Sequence, residues 1–60
     1  MFIQLTDILG NDFYVNVVSI AMFEVCQHED LLAVKLTLTT GKEVIVKECM
    51  RQINELMNDL

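Results

Sequence analysis

Apolar and polar residues alternate along most of this chain, and the period lengthens only near its C-terminal end. In "FIQLT", residues 2–6, Ile3 and Leu5 share one face, the short alternating form of a strand. Gly10-Asn11 marks a reversal, after which "DFYVNV" alternates Phe13, Val15 and Val17 against Tyr14 and Asn16. Residues 2–6 and 12–17 are therefore expected to form a first hairpin. Asn16 suits a tight turn or a helical cap, which predicts a short bend near 17–19. A third strand is expected over 20–26, with Ala21, Phe23 and Val25 opposite in phase to Met22, Glu24 and Cys26, ended by the polar cluster Gln27-His28-Glu29-Asp30.

The next two strands, 31–38 and 42–47, contain a register that can be worked out by arithmetic. Leu32, Val34, Leu36 and Leu38 lie on one face of "LLAVKLTL", and Val44 and Val46 share a face of "KEVIVK". A two-residue loop at Thr40-Gly41 would set Leu36 against Ile45 and mix the faces. A three-residue loop, Thr39-Thr40-Gly41, with Gly41 left-handed as in a G1 bulge, sets Leu36 against Val44 and Val34 against Val46, and is preferred. From Glu48 the period changes: Cys49, Met50, Ile53, Leu56, Met57 and Leu60 recur at three- and four-residue steps, predicting an amphipathic helix over about 48–59. The expected fold is α+β, a small antiparallel β-meander of about five strands with one C-terminal helix, in a single domain over residues 1–60.

Composition turns this fold toward association. A 60-residue domain removes only roughly 60% of its unfolded surface from water. Yet 53% of the residues are hydrophobic and the mean hydropathy is +0.43, more apolar material than such a monomer easily hides. Two cysteines, Cys26 and Cys49, do not make the disulfide framework of a secreted miniprotein, which points to a reduced cytoplasm. The longest apolar run, residues 13–26, is broken by Asn16, Ser19 and Glu24 and is short of the ~20 residues of a spanning helix, so no membrane partner is expected. "MFIQLTD" lacks the features of a signal peptide, and the chain is expected to be complete and unprocessed. Nine acidic residues against four basic ones give a net charge of −5 and a pI near 4.4, which disfavours nucleic acid as a partner. The carboxylates are too scattered to imitate a phosphate backbone.

Few residues carry candidate chemistry. Lys35, Thr37, Ile45 and Lys47 fall on the second face of the preferred hairpin, and Arg51 would join the two lysines if the helix folds back on that side. Such a cluster could hold a phosphate, with the Thr37 hydroxyl as a further donor. The plainer alternative is a solvated face on which Lys35 and Lys47 offset Glu43 and Glu48. Tyr14 is the outward contact residue if the core takes Phe13. Phe23 and the helix residues Ile53, Leu56, Met57 and Leu60 are candidates for a self-interface. Cys26 and His28 share a face if their segment is extended, the one triad-like grouping, but so short a chain has little room for a water-excluding pocket. A zinc site from Cys26, His28 and Cys49 lacks the usual ligand spacing. No enzyme activity, metal or cofactor is expected.

"IQLT", Gly10, "FYVN", and "LTLTTGKEVIVKE" followed by a short helix together resemble the FlbD-like family of small flagellar and swarming-motility proteins, over nearly the whole chain. The resemblance implies a small cytoplasmic bacterial protein associated with motor function. This chain is more acidic, with a longer and more hydrophobic middle, "VVSIAMFEVCQHEDLLAV". The expected function is a non-enzymatic, homo-oligomeric protein–protein adaptor. The alternative is a phage-encoded anti-defence protein that inhibits a host immune protein or sequesters a nucleotide messenger in an intersubunit pocket, with Lys35, Lys47, Arg51 and Tyr14 as contacts.

Overall fold

Five strands and one helix follow each other without crossover in the computed structural model, which describes residues 1–59. They are β1 (Phe2–Thr6), β2 (Asp12–Asn16), β3 (Ile20–His28), β4 (Leu31–Leu38), β5 (Glu43–Val46) and α1 (Met50–Asn58), with a 3-10 turn at Val17–Ser19 between β2 and β3. The fold is α+β, with an antiparallel β-meander and a C-terminal helix. The strands divide into two sheets, β1-β2 and β3-β4-β5. Asn16 is the residue that turns the chain between them: its side-chain oxygen accepts the Val18 amide at 3.3 Å and caps the 3-10 turn.

The sheets are joined at a second place. Asp7 bridges Val46, the Lys47 amide donates to the Thr6 carbonyl at 2.8 Å, and the Ile8 amide donates to the Ile45 carbonyl at 3.2 Å. The end of β1 thus lies against β5, and the strands follow one another as β2-β1-β5-β4-β3. Ile3, Leu5 and Val15 from the first sheet meet Val34, Leu36 and Val46 from the second, with Ile53 of α1 against them. Among the described residues these seven are the buried core, and no polar or charged residue is buried with them.

The β4–β5 hairpin has the register that keeps one face apolar. Val34 pairs with Val46 and Leu36 with Val44, across the three residues Thr39-Thr40-Gly41. The Leu38 amide donates to the Lys42 carbonyl at 2.8 Å, and Gly41 sits at φ +93°, where a side chain would be strained.

Several boundaries differ from the sequence expectation; β2 ends at Asn16 instead of 17, where the 3-10 turn begins. β3 continues through Gln27 and His28, because His28 pairs with Leu31 across a two-residue turn. That turn holds Glu29 at φ 50° and Asp30 at φ 66°, the left-handed pair of a type I′ turn, here without glycine or asparagine. Polar residues are tolerated in this part of β3 because it lies beyond the core, where Val25 and Leu32 are also exposed. The helix begins at Met50 instead of 48, because Glu48 is used elsewhere: its Oε1 accepts the Thr6 amide at 2.9 Å. Cys49 remains extended as the N-cap, and its amide donates to Gln52 Oε1 at 2.9 Å. β5 is confined to Glu43–Val46 because the Lys47 amide turns to Thr6.

Two measurements of unfolding free energy check this architecture. Leu36→Ala, at a position with no exposed surface, is expected to cost about 2–5 kcal/mol. The double change Glu29→Asn and Asp30→Gly is expected to stabilise by about 1 kcal/mol, by relieving two strained left-handed residues.

Candidate functional site

The second face of the three-stranded sheet is ordered in rows by its register. Met22 lies beside Thr37 and Glu43, Glu24 beside Lys35 and Ile45, and Cys26 beside Ala33. Lys35 is thus flanked by carboxylates on both neighbouring strands. Its Nζ is 3.1 Å from Glu24 Oε1 and 3.3 Å from Glu43 Oε2. The hydrogen bond to Glu24, then that to Glu43, hold the Lys35 ammonium above the ordinary lysine value. This lysine is already neutralised.

The expected cation cluster does not assemble. Ile53 packs on the Val34–Leu36–Val46 face, so α1 covers the sheet on the side opposite the lysines. Arg51 instead reaches along the helix to Glu55, at 3.6 Å, and its side chain is 88% exposed. Lys47 projects toward the β1–β2 loop, its Nζ lying 4.0 Å from where a Cβ on Gly10 would stand. Thr37 Oγ1 is buried beside Lys35's row without a hydrogen-bond partner. Within one chain Lys35, Lys47, Arg51 and the Thr37 hydroxyl are thus placed separately.

The candidate interface residues are also redistributed. Ile53 is 1% exposed and belongs to the chain's own core, so it is not free for a partner; Phe23, Leu56 and Met57 are half-buried against that core. Leu60 lies outside the described residues. Phe13 packs inward, while Tyr14 stands outward at 70% exposure, on the same face of the first hairpin as the exposed Phe2. Cys26 and His28 do share a face at the β3–β4 end, both half-buried, but Cys49 caps α1 and is exposed. Among the described residues no group of three His, Cys, Asp or Glu side chains is placed to hold a metal ion. No helix among them is long and apolar enough to cross a membrane.

What the structure brings together instead is a groove of about 490 Å³ between the β1–β2 loop and the tip of the β3–β4 hairpin. Ile8, Leu9, Leu31 and Leu32 supply apolar lining, and Lys47, His28 and Glu29 supply polar lining. Leu9, Leu31 and Leu32 are 82%, 71% and 77% exposed, and among the described residues they are the leucines left largely uncovered. Among the described residues Lys47 makes no ion pair. Sequence reading missed the groove because its two walls come from loops 20 residues apart that periodicity says nothing about; the adjacent leucines of "DLLAV" were the available signal.

One wall is set by Asp7. Its Oδ1 accepts the Leu9 amide at 3.0 Å and the Asn11 amide at 2.9 Å, and the Asp7 amide donates to the Asn11 carbonyl at 2.9 Å. Gly10, at φ +89°, lets the loop close. The Asn11 amide is the main cause holding the Asp7 carboxyl below its ordinary value of 3.8.

Compared with protein-family models, curated proteins and solved structures, the chain matches none. The functional reading therefore rests on its own geometry.

A depressed carboxyl contributes stability above its unfolded value, and that contribution is lost as pH falls through the folded value. Thermal melts from neutral to acid pH are therefore expected to show an acid limb below about pH 4. In Asp7→Asn, which keeps an acceptor for the Leu9 and Asn11 amides, that limb should flatten.

Proposed function

We propose that this chain is a non-enzymatic, homo-oligomeric binding module, a cytoplasmic adaptor of the FlbD-like kind from a bacterium or a phage. It docks an apolar segment of another protein that carries an acidic group. The supporting observation is the groove at the β3–β4 tip, where exposed leucines surround a lysine without an ion-pair partner. Apolar contact would supply the affinity there, and a carboxylate on the partner would meet Lys47 and set its orientation. The other two site cations support a protein partner over a phosphate, because Glu24 and Glu43 hold Lys35 and Glu55 holds Arg51.

Self-association is supported by the distribution of apolar side chains. Among the described residues nine large hydrophobics are exposed, against seven in the core. Burying such side chains contributes about 1.5–3 kcal/mol each, which a single copy forgoes.

Sedimentation of the purified chain is expected to give a mass that is a multiple of 6.9 kDa. A partner retained from the natural host should be lost with Leu32→Glu, and its affinity should fall more steeply with salt for the native chain than for Lys47→Ala. Co-purification of a nucleotide-sized adduct, seen by native mass spectrometry and abolished by Lys47→Glu, would overturn the protein-partner reading.

A further inference from the structure

The three-stranded sheet ends in an edge unlike the others. β3 has β4 on one side and no strand on the other, and it is nine residues long. β2, the other free edge, has five. Folded proteins protect edges with short strands, lysine or proline, since a row of unpaired amides and carbonyls accepts another strand. β3 has no lysine and no proline, and one charge, Glu24, in "IAMFEVCQH".

Its pairing with β4 fixes which backbone groups are free. His28 and Leu31 flank a two-residue turn and form its closing hydrogen-bonded pair, so Cys26 and Glu24 also turn their amides and carbonyls toward β4. Phe23, Val25 and Gln27 turn theirs outward. A register irregularity lies between Ile20 and Met22, which leaves Met22–His28 as the regular stretch. The middle residue of that stretch is Val25, which is 56% exposed although it stands on the sheet's core-facing side.

We infer that β3 is the self-association interface: two copies pair β3 against β3 antiparallel about a two-fold axis at Val25, continuing each three-stranded sheet into one of six. The inference rests on the homo-oligomer reading and gives it a surface and a register. A second copy is the occupant because this strip suits it electrostatically and by symmetry. Each copy carries −5, so a self-interface must avoid carboxylates, and β3 is a long strip with a single one. The axis at Val25 uses the whole regular stretch and sets Glu24 opposite Cys26 of the second copy, with Met22 opposite His28. An axis at Glu24 would set the two carboxylates directly against each other, a destabilising pair. At the Val25 axis the two exposed valines cover one another.

The register is testable because Glu24 and the second copy's Cys26 form a non-hydrogen-bonded pair, whose Cα separation of about 4.5 Å falls within disulfide range. Within one chain residues 24 and 26 cannot be bridged, since Glu24→Cys and Cys26 would be successive residues on one strand face. Glu24→Cys in a Cys49→Ser background, mildly oxidised, should give a covalent dimer whose peptides are joined 24 to 26, and Cys26→Ser should remove that link. Val25→Lys, at an exposed position, should weaken the dimer by about tenfold or more while the circular dichroism of the chain is kept. Links joining 24 to 24 or 26 to 26 as the main product would overturn the register. An oligomer unaffected by Val25→Lys and without a 24–26 link would overturn the β3 interface and leave the homo-oligomer reading intact. A native chain that sediments as a monomer at every concentration would overturn both.

Discussion

The fold depends on the splice between the end of β1 and β5. There the Lys47 amide meets the Thr6 carbonyl, the Ile8 amide meets the Ile45 carbonyl, and the Glu48 carboxylate takes the Thr6 amide. Without these contacts the chain would be a two-stranded hairpin and a three-stranded sheet linked by one turn, and a two-stranded hairpin alone is marginal in water. With them, Ile3 and Leu5 are held over Val34, Leu36 and Val46, and Ile53 closes the cluster. Glu48 performs two tasks by one interaction: it satisfies an amide at the splice and sets where the helix starts.

Local constraints were legible in the sequence and long-range ones were not. The β4–β5 register follows from alternation plus one glycine, because a slip of one residue would turn an apolar row to water. The cap at Asn16 and the helical stripe around Ile53 are legible for the same reason: both are decided within a few residues. The splice joins residues about 40 apart, and no periodicity encodes which strand end meets which. Glu48 accordingly read as a surface carboxylate, and the helix start was placed two residues early. Gly10-Asn11 marks the reversal in the sequence, while the residue that organises it, Asp7, stands three before the glycine.

Geometry as well as charge separates the candidate cations within one chain. Lys35 does lie on the second face of the sheet, but a face also fixes neighbours across strands: Glu24 is directly opposite on β3 and Glu43 is diagonal on β5, and both carboxylates reach its ammonium. In a chain with nine carboxylates and four cations, a lysine in mid-sheet meets an acid more readily than another cation. The side on which α1 packs then decides Arg51, because the apolar stripe must go to the face with Val34 and Leu36. Lys47 lies past the end of β5, and among the described residues its ammonium makes no ion pair.

Val25, Leu31 and Leu32 are exposed where β3 and β4 outrun the core. The seven buried side chains occupy the middle of the sheets, while β3 and β4 continue to a tip carrying Leu31 and Leu32. Leu31 and Leu32 are exposed at that tip, and its turn places Glu29 and Asp30 in left-handed geometry without glycine or asparagine. Stability alone would favour a shorter hairpin with asparagine and glycine at the turn. A strand that is longer than its core, with leucines at its end and a free edge along its length, is consistent with the proposed contacts outside the chain. The groove and the β3 edge are two sides of the same extension: one faces the β1–β2 loop, and the other faces away from β4. Pairing along the edge would stiffen the hairpin that forms one wall of the groove, so self-association and partner binding would be coupled through β3 and β4.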